Sequence, residues 1–214
     1  MALDKKRLVL FDFDGTLTVK DSFTAFIRHA CGVRGLFRTL LLSAPAILAW
    51  KLGRISNSDA KKVMFRAAFK NYPANRFREM GVSFAEKVRK MERKDIVCRM
   101  RGALEAGDEV AIVSASLEDW IRPWAESYGV RHVVATKADA EGTRLSGELS
   151  TPNCHGEEKV RRLIEEFPDL KQHRDRLDIT AYGDSSGDNE MWALSNWPVR
   201  VNHGGLRDFI QKWI

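Results

Sequence analysis

The second half of the chain alternates short apolar segments with amphipathic ones, and this alternation limits the possible folds more than any other feature. After Gly107 the apolar segments read DEVAIVSAS, VRHVVAT, LDITAYG and PVRVN, and the segments between them include LEDWIRPWAESYG and GEEKVRRLIEEF. Short β-branched runs separated by helical patterns are typical of a parallel sheet with crossover helices. We therefore expect an α/β fold.

An earlier apolar segment, residues 7–13, has the same character and is predicted to join that sheet. The residues between it and Gly107 have helical composition and spacing. We predict a core built from residues 1–19 and 107–214, with a helical unit, residues 20–106, inserted between its first two strands.

Three local expectations refine this organisation. Pro45 is predicted to break the first long helix of the insertion, with Ser43 as the cap of the next piece. Residues 136–151 are predicted to form a short hairpin, and residues 204–214 a closing helix.

Composition excludes several classes of protein. The 214 residues, 44% of them hydrophobic, suffice for one sizeable core, and the three cysteines form no CxxC pair that would indicate zinc or a disulfide framework. No apolar segment of signal-peptide length precedes Asp12, so secretion is not expected, and the longest uncharged stretch, residues 39–50, is shorter than the roughly 20 residues of a membrane-spanning helix. A reducing, cytoplasmic setting is expected.

Charge is distributed unevenly along the chain. Residues 20–105 contain 19 Lys and Arg against 7 Asp and Glu, a net charge of +12, whereas the remainder carries −6, giving the overall +6. The basic block indicates either a surface for anionic ligands or a solvated helical exterior without a partner.

Polar residues follow the predicted strands where each strand ends. Asp12 and Asp14 follow the first strand, Ser114 the second, and Asp184 a later one, while Lys159 enters a helix. Taken singly, these residues have ordinary explanations as turns, caps or solvated side chains. Together at the carboxyl edge of one sheet, several carboxylates require a cation such as Mg²⁺, and the lysine and hydroxyl suit an anion. This combination indicates a phosphoryl site.

Four segments, DFDGT, VSAS, GEEK and GDSSGDNEM, resemble in order and spacing the four motifs of the haloacid dehalogenase superfamily. The resemblance covers residues 7–19 and 107–203. It implies a Rossmann-like parallel-sheet core and Mg²⁺-dependent phosphatase activity. The insertion is similar to the all-helical cap of the phosphoserine-phosphatase-like branch, subclass IB.

The resemblance also implies roles for the catalytic residues. Asp12 would be the nucleophile that forms an aspartyl-phosphate, and would also bind Mg²⁺. Asp14 would protonate the leaving oxygen and then activate water, with its backbone carbonyl on the metal. Lys159 would neutralise charge on the nucleophile and the phosphate. These roles agree with the principle that a carboxylate beside cations stays ionised and nucleophilic.

Further ligands follow from the same resemblance. Asp184 would be a metal ligand, with Asp188 behind it or binding through water. Substrate contacts are expected from the Ser114 hydroxyl and from a set of small or polar residues in the first two motifs and just after them: Gly15, Thr16, Ala115 and Asp21.

Two positions depart from the phosphoserine phosphatase pattern. Gly187 stands where those enzymes commonly carry Asn, and Asp21 stands where they use Glu to hold the substrate amino group. Asp21 is one methylene shorter than Glu, and it can equally be a helix N-cap. Phosphoserine is therefore not a secure substrate assignment.

The cap leaves the substrate class open. Residues 36–52 are rich in leucine and are flanked by Arg34, Arg38 and Arg54. This segment is explained either as the core of the cap or as an interfacial patch at the inner membrane face. In favour of the second explanation, the apolar cap is similar to that of a subgroup resembling phosphatidylglycerophosphatase C, which hydrolyses a lipid phosphate.

The leading expectation is a Mg²⁺-dependent phosphohydrolase for a small phosphomonoester, with a lipid phosphate as the alternative. A non-catalytic protein that binds anions or nucleic acid is a third hypothesis. The complete motif set disfavours it, so no nucleic-acid partner is expected. The sequence makes no prediction of oligomeric state.

Overall fold

The computed structural model describes residues 5–201 of the chain, and the predicted closing helix at residues 204–214 lies outside that range. Its centre is a five-stranded sheet in the order β3-β2-β1-β6-β7, and every pairing in this sheet is parallel. The strands are β1 (Lys6–Phe11), β2 (Glu109–Leu117), β3 (His132–Thr136), β6 (Leu177–Gly183) and β7 (Trp197–Arg200). The predicted α/β class is confirmed.

Strand β1 is apolar on both faces because both faces of the sheet are covered. Leu8 and Leu10 belong to one buried cluster, and Val9 and Phe11 belong to the other. A strand buried on both sides reads as a continuous hydrophobic run, which explains the sequence pattern of residues 7–13.

Helices cover the two faces of the sheet. One buried cluster draws on α4 (Lys94–Glu105) and α5 (Glu118–Glu126), and the other on α6 (Glu157–Glu166), α7 (Asp169–Gln172) and α8 (Asn189–Leu194). The helices α1 (Ser22–Lys51), α2 (Asn57–Phe69) and α3 (Ala74–Val88) precede α4 in the predicted insertion.

The insertion shares its core with the sheet domain. Phe26 of α1 stacks on Trp120 of α5 with ring centroids 4.4 Å apart, and Phe77 and Phe84 meet Phe26 edge to face. Helix α4 packs against β1 and β2, although it falls within the predicted inserted range 20–106. The exact boundaries of the insertion stay a prediction.

The break in the first long helix lies at Gly32, and the expectation that Pro45 would provide it is wrong. Gly32 has a positive φ of 72° inside α1, a conformation that glycine adopts without a Cβ penalty. Pro45 is accommodated within the helix, and Ser43, predicted as a cap, is buried in its interior. Proline removes one helical hydrogen bond, but the backbone around Pro45 keeps helical φ and ψ angles.

Helix α1 is long and apolar enough to cross a membrane when judged by length and composition alone. Only 11% of its most apolar window is buried. The first turns of the same helix are different, since Phe23, Phe26 and Ile27 lie in the core.

The predicted hairpin is confirmed as β4 (Ala138–Glu141) paired antiparallel with β5 (Arg144–Leu149). It packs against α2 and the turn that follows α2. The Asn71 N–H donates to the Leu145 carbonyl at 2.9 Å, and Arg66 forms an ion pair with Glu148. The hairpin thus connects the sheet domain to the inserted helices.

The contact between α3 and α5 provides a stability test. A Cβ added at buried Gly81 would overlap the backbone of Asp119, whereas one at exposed Gly102 in α4 would meet no atom within 4 Å. We expect Gly81→Ala to lower the free energy of unfolding by about 1–3 kcal/mol through overpacking. Gly102→Ala should raise it by up to about 1 kcal/mol, because alanine favours helix. Urea denaturation measures both, and equal effects would contradict this packing.

Candidate active site

Three carboxylates converge at the carboxyl edge of the sheet. Asp12 follows β1 directly, Asp184 follows β6, and Asp188 lies one turn further on, at the start of α8. Carboxylate oxygens of the three residues lie within 4.8 Å of one another. Oxygen donors of this kind and number suit a hard divalent cation such as Mg²⁺.

The Lys159 amine links two of these carboxylates. Its Nζ donates to Asp12 Oδ1 at 2.6 Å and to Asp188 Oδ1 at 2.5 Å, and the side chain is 2% exposed. Burial lowers the pKa of the Lys159 amine, but the charges of Asp12 and Asp188 outweigh burial and raise it above its ordinary value. Lys159 therefore stays charged. The first turn of α6 supplies it from the opposite side of the cluster.

Asp188 is fully buried and organises the loop after β6. Its second oxygen accepts the backbone N–H groups of Asp184 and Ser185, each at 3.1 Å, and the Ser185 hydroxyl at 3.3 Å. A Cβ at Gly183 would lie 2.6 Å from the Asp188 carboxyl carbon, so the strand must end in glycine here. Asp188 thus holds the loop that presents Asp184.

Asp12 lies in an environment that disfavours its negative charge. Burial raises the pKa of its carboxyl well above the ordinary value; Lys159 opposes the shift, while Asp188 and Asp184 add to it. Three carboxylate oxygens held this close together are hard donors that suit a divalent cation, so the donor set fits a divalent metal.

Asp14 lies apart from this cluster and faces the start of α1. Its carboxylate accepts the Ser22 N–H at 2.8 Å and the Ser116 hydroxyl. Burial, with a contribution from the Asp21 charge, raises the pKa of Asp14 to about 6, while Lys61 opposes the shift. A carboxyl group with such a pKa can both give and take a proton near neutral pH.

The turn after Asp14 requires glycine. Gly15 has a φ of +87°, and a Cβ there would overlap the Asp184 carboxylate. Thr16 is fully buried, and its N–H donates to the Phe13 carbonyl at 3.3 Å. Among the described residues, the Thr16 hydroxyl has no hydrogen-bond partner.

Ser114 and Ala115 line the site from β2. The Ser114 hydroxyl is buried and accepts the Ser116 N–H at 3.0 Å. The Ala115 carbonyl accepts the Lys61 amine at 3.0 Å and the Thr136 hydroxyl at 3.1 Å. The backbone of this motif, which is predicted to face the phosphate, therefore lies beside the amine of Lys61 from α2.

Asp21 is the N-cap of α1. Its carboxylate accepts the Thr24 N–H at 2.8 Å, as the capping alternative expected. The role of Asp21 in substrate binding stays a prediction, as do the other assigned roles in the site.

Sequence reasoning missed the contacts that the cap makes with the site. Lys61 of α2 donates to Ser116 at 3.4 Å as well as to Ala115, and Asn153 donates to Ser58 of α2 at 2.7 Å. The two residues of each pair are more than 50 positions apart in the sequence, so no local pattern predicts these contacts. The high content of Lys and Arg in residues 20–105 was the one available signal.

His155 explains one departure from the phosphoserine phosphatase pattern. A Cβ at Gly187 would lie 2.5 Å from Nε2 of His155, so the imidazole occupies the space of a side chain at 187. Burial, with the neighbouring Lys159 charge, lowers the pKa of His155.

The fold and this site define an α/β enzyme whose carboxylate cluster lies beneath inserted helices. The sequence matches the haloacid dehalogenase-like hydrolases over residues 9–192. It is 36% identical over 192 residues to Protein CicA of Caulobacter vibrioides, covering 88% of this chain and 83% of that protein. The chain belongs to the haloacid dehalogenase-like hydrolase family.

Solved structures agree on the fold. A protein of unknown function from Bordetella pertussis Tohama I superposes with a TM-score of 0.78 at 24% identity, covering 97% of this chain and 95% of that one. A phosphoserine phosphatase in a phospho-aspartyl intermediate analogue form gives 0.65 at 17% identity, covering 92% and 86%. The fold is phosphoserine-phosphatase-like, as the motifs predicted, and family and fold together support a phosphohydrolase.

The Gly15 turn yields a test of the site. Gly15→Ala and Gly107→Ala both place alanine at positive φ, but only the first would overlap a side chain, the Asp184 carboxylate. We expect each to cost about 1–2 kcal/mol of stability from backbone strain. Gly15→Ala alone should lower p-nitrophenyl phosphate hydrolysis more than tenfold. Similar activity losses in the two variants would contradict the close approach of Gly15 to Asp184.

Proposed function

We propose that the protein is a Mg²⁺-dependent phosphohydrolase that cleaves a phosphomonoester through an aspartyl-phosphate on Asp12. The observation that carries the proposal is the Lys159 amine, which lies between Asp12 and Asp188 in a cluster of three carboxylates. A binding protein has no use for a buried lysine and three carboxylates at one point, since burying such charges is costly.

Asp12, Asp184 and the Asp14 backbone carbonyl would hold the metal, with Asp188 behind them or binding through water. The chemistry of the donors supports this set, because all are hard oxygens and the three carboxylates lie within 4.8 Å of one another. Bound Mg²⁺ would offset the charge of the phosphoryl oxygens and of the nucleophile.

In the first step a carboxylate oxygen of Asp12 attacks phosphorus, and the bond from phosphorus to the ester oxygen breaks. Lys159 donates to Asp12 at 2.6 Å and so fixes the rotamer of the nucleophile. Asp14, held by Ser22 and Ser116, gives its proton to the leaving oxygen. The products of this half-reaction are the free alcohol and an acyl phosphate on Asp12.

In the second step Asp14 takes a proton from water, and the resulting hydroxide attacks phosphorus. The bond from phosphorus to Asp12 breaks, which releases inorganic phosphate and restores the Asp12 carboxylate. The Ser114 hydroxyl would hydrogen-bond a phosphoryl oxygen in both steps. Electrostatic support from Lys159 is needed throughout, because negative charge accumulates on the transferred group.

The contacts of α2 with the site support a small phosphomonoester as substrate. Lys61 of α2 donates to the Ala115 carbonyl and Asn153 donates to Ser58 of α2, so α2 is held against β2 and the segment before α6. The three cysteines are free and support a reducing, cytoplasmic location.

A lipid phosphomonoester is the second candidate, and the exposed apolar side chains of α1 favour it. A panel of soluble phosphomonoesters assayed beside phosphatidylglycerophosphate in mixed micelles separates the two. Failure to cleave the lipid would dispose of this second candidate.

The nucleophile can be tested with one conservative substitution. Asp12→Asn keeps the shape of the side chain but removes the attacking charge. We expect p-nitrophenyl phosphate hydrolysis in Mg²⁺ to fall by about a thousandfold or more. Equal rates for the native chain and a folded Asp12→Asn variant, checked by circular dichroism, would overturn the mechanism.

A further inference from the structure

Helix α1 exposes a continuous apolar side after its bend at Gly32. Val33, Phe37 and Leu41 are 66%, 68% and 65% exposed. The residues that share this side follow Val33 at spacings of 4, 7, 8, 11 and 15, which place them on one stripe of a helix. We name this stripe the outer α1 face: Val33, Phe37, Leu40, Leu41, Ala44 and Leu48.

The opposite side of the same segment is less exposed and mixes polar residues with apolar ones such as the partly buried Leu36 and Ile47. Thr39 and Ser43 are 2% and 0% exposed, and the Thr39 hydroxyl donates to the Gly35 carbonyl at 2.9 Å. Surface helices of proteins in water place apolar residues inward and polar residues outward. The outer α1 face departs from this rule because its exposed positions are apolar, so the medium outside this face is expected to be apolar.

The chain segment that carries the outer α1 face is basic and contains no acidic residue. No Asp or Glu occurs between Asp21 and Asp59, while Arg34 and Arg38 adjoin the stripe, and Lys51 and Arg54 lie at its end. A helix that is apolar on one side and rimmed by basic residues is complementary to the interface of an anionic bilayer.

We infer that the outer α1 face docks the protein on the surface of an anionic lipid bilayer. The helix lies in the interface and does not span it, because Phe23, Phe26 and Ile27 of its first turns are buried in the core and Ser22 donates to Asp14. A second copy of the chain fits the face less well, since residues 20–105 carry a net charge of +12 and two copies would repel. The inference concerns a surface other than the catalytic site and does not depend on the proposed chemistry.

Vesicle co-sedimentation of the full chain tests this docking. We expect the native chain to bind vesicles of phosphatidylcholine mixed with phosphatidylglycerol more tightly than vesicles of phosphatidylcholine alone, and to lose affinity as salt rises. Asp12→Asn should bind as the native chain does, which separates docking from catalysis.

A matched pair of leucines locates the docking surface. Leu48 lies on the outer α1 face and is 58% exposed; Leu42 is 54% exposed but lies on another side of the helix. Leu48→Glu should weaken vesicle binding at least about tenfold, with p-nitrophenyl phosphate hydrolysis unchanged, and Leu42→Glu should bind nearly as the native chain does.

Three outcomes would overturn the inference. The first is no binding of the native chain to phosphatidylglycerol vesicles. The second is an equal loss of binding in Leu42→Glu and Leu48→Glu. The third is a concentration-dependent dimer that Leu48→Glu dissociates without any vesicle binding, which would assign the face to a second copy.

Discussion

The amine of Lys159, in contact with the carboxylates of Asp12 and Asp188, is the interaction on which the active site depends. It joins the end of β1, the first turn of α6 and the loop after β6, three segments far apart in sequence. Asp12 and Asp188 are buried, and without this cation their charges would be destabilising, because breaking a buried ion pair costs about 3–5 kcal/mol. In the proposed function these carboxylates would hold a divalent metal, and the metal and Lys159 together would offset the charge of a phosphoryl group.

The arrangement of the sheet and the carboxylate edge follows from local sequence. The apolar runs at residues 7–13 and after Gly107 predicted the strands, because a strand buried on both faces appears in the sequence as a short continuous apolar run. Asp12, Asp184 and Asp188 could be predicted to meet because parallel strands end at one edge.

Other features depend on tertiary approach and left no local signal. The hydrogen bonds of Ser22 and Ser116 to Asp14, and the reach of Lys61 to Ala115, exist only once the cap is packed. The kink in α1 was assigned to Pro45 on propensity, but the positive φ is at Gly32. The presence of a glycine inside a helical pattern does not show, from sequence alone, whether that glycine adopts a positive φ.

The inserted helices have two different surfaces. Lys61 and Ser58 of α2 face the catalytic residues, and the outer α1 face is directed away from the rest of the protein. Helix α1 connects the two, since its first residue donates to Asp14 while its second half is apolar and exposed. In the two proposals the inserted helices contribute contacts to the site through α2 and a bilayer-docking surface through α1.

The covalent intermediate on Asp12 is the central claim and can be located directly. The enzyme would be mixed with p-nitrophenyl phosphate and Mg²⁺, quenched in acid during turnover and reduced with borohydride, which converts an acyl phosphate to an alcohol. Peptide mass spectrometry should then find the reduced side chain at position 12 alone. Reduction at Asp14, at another carboxylate, or at none despite continuing turnover would contradict the account.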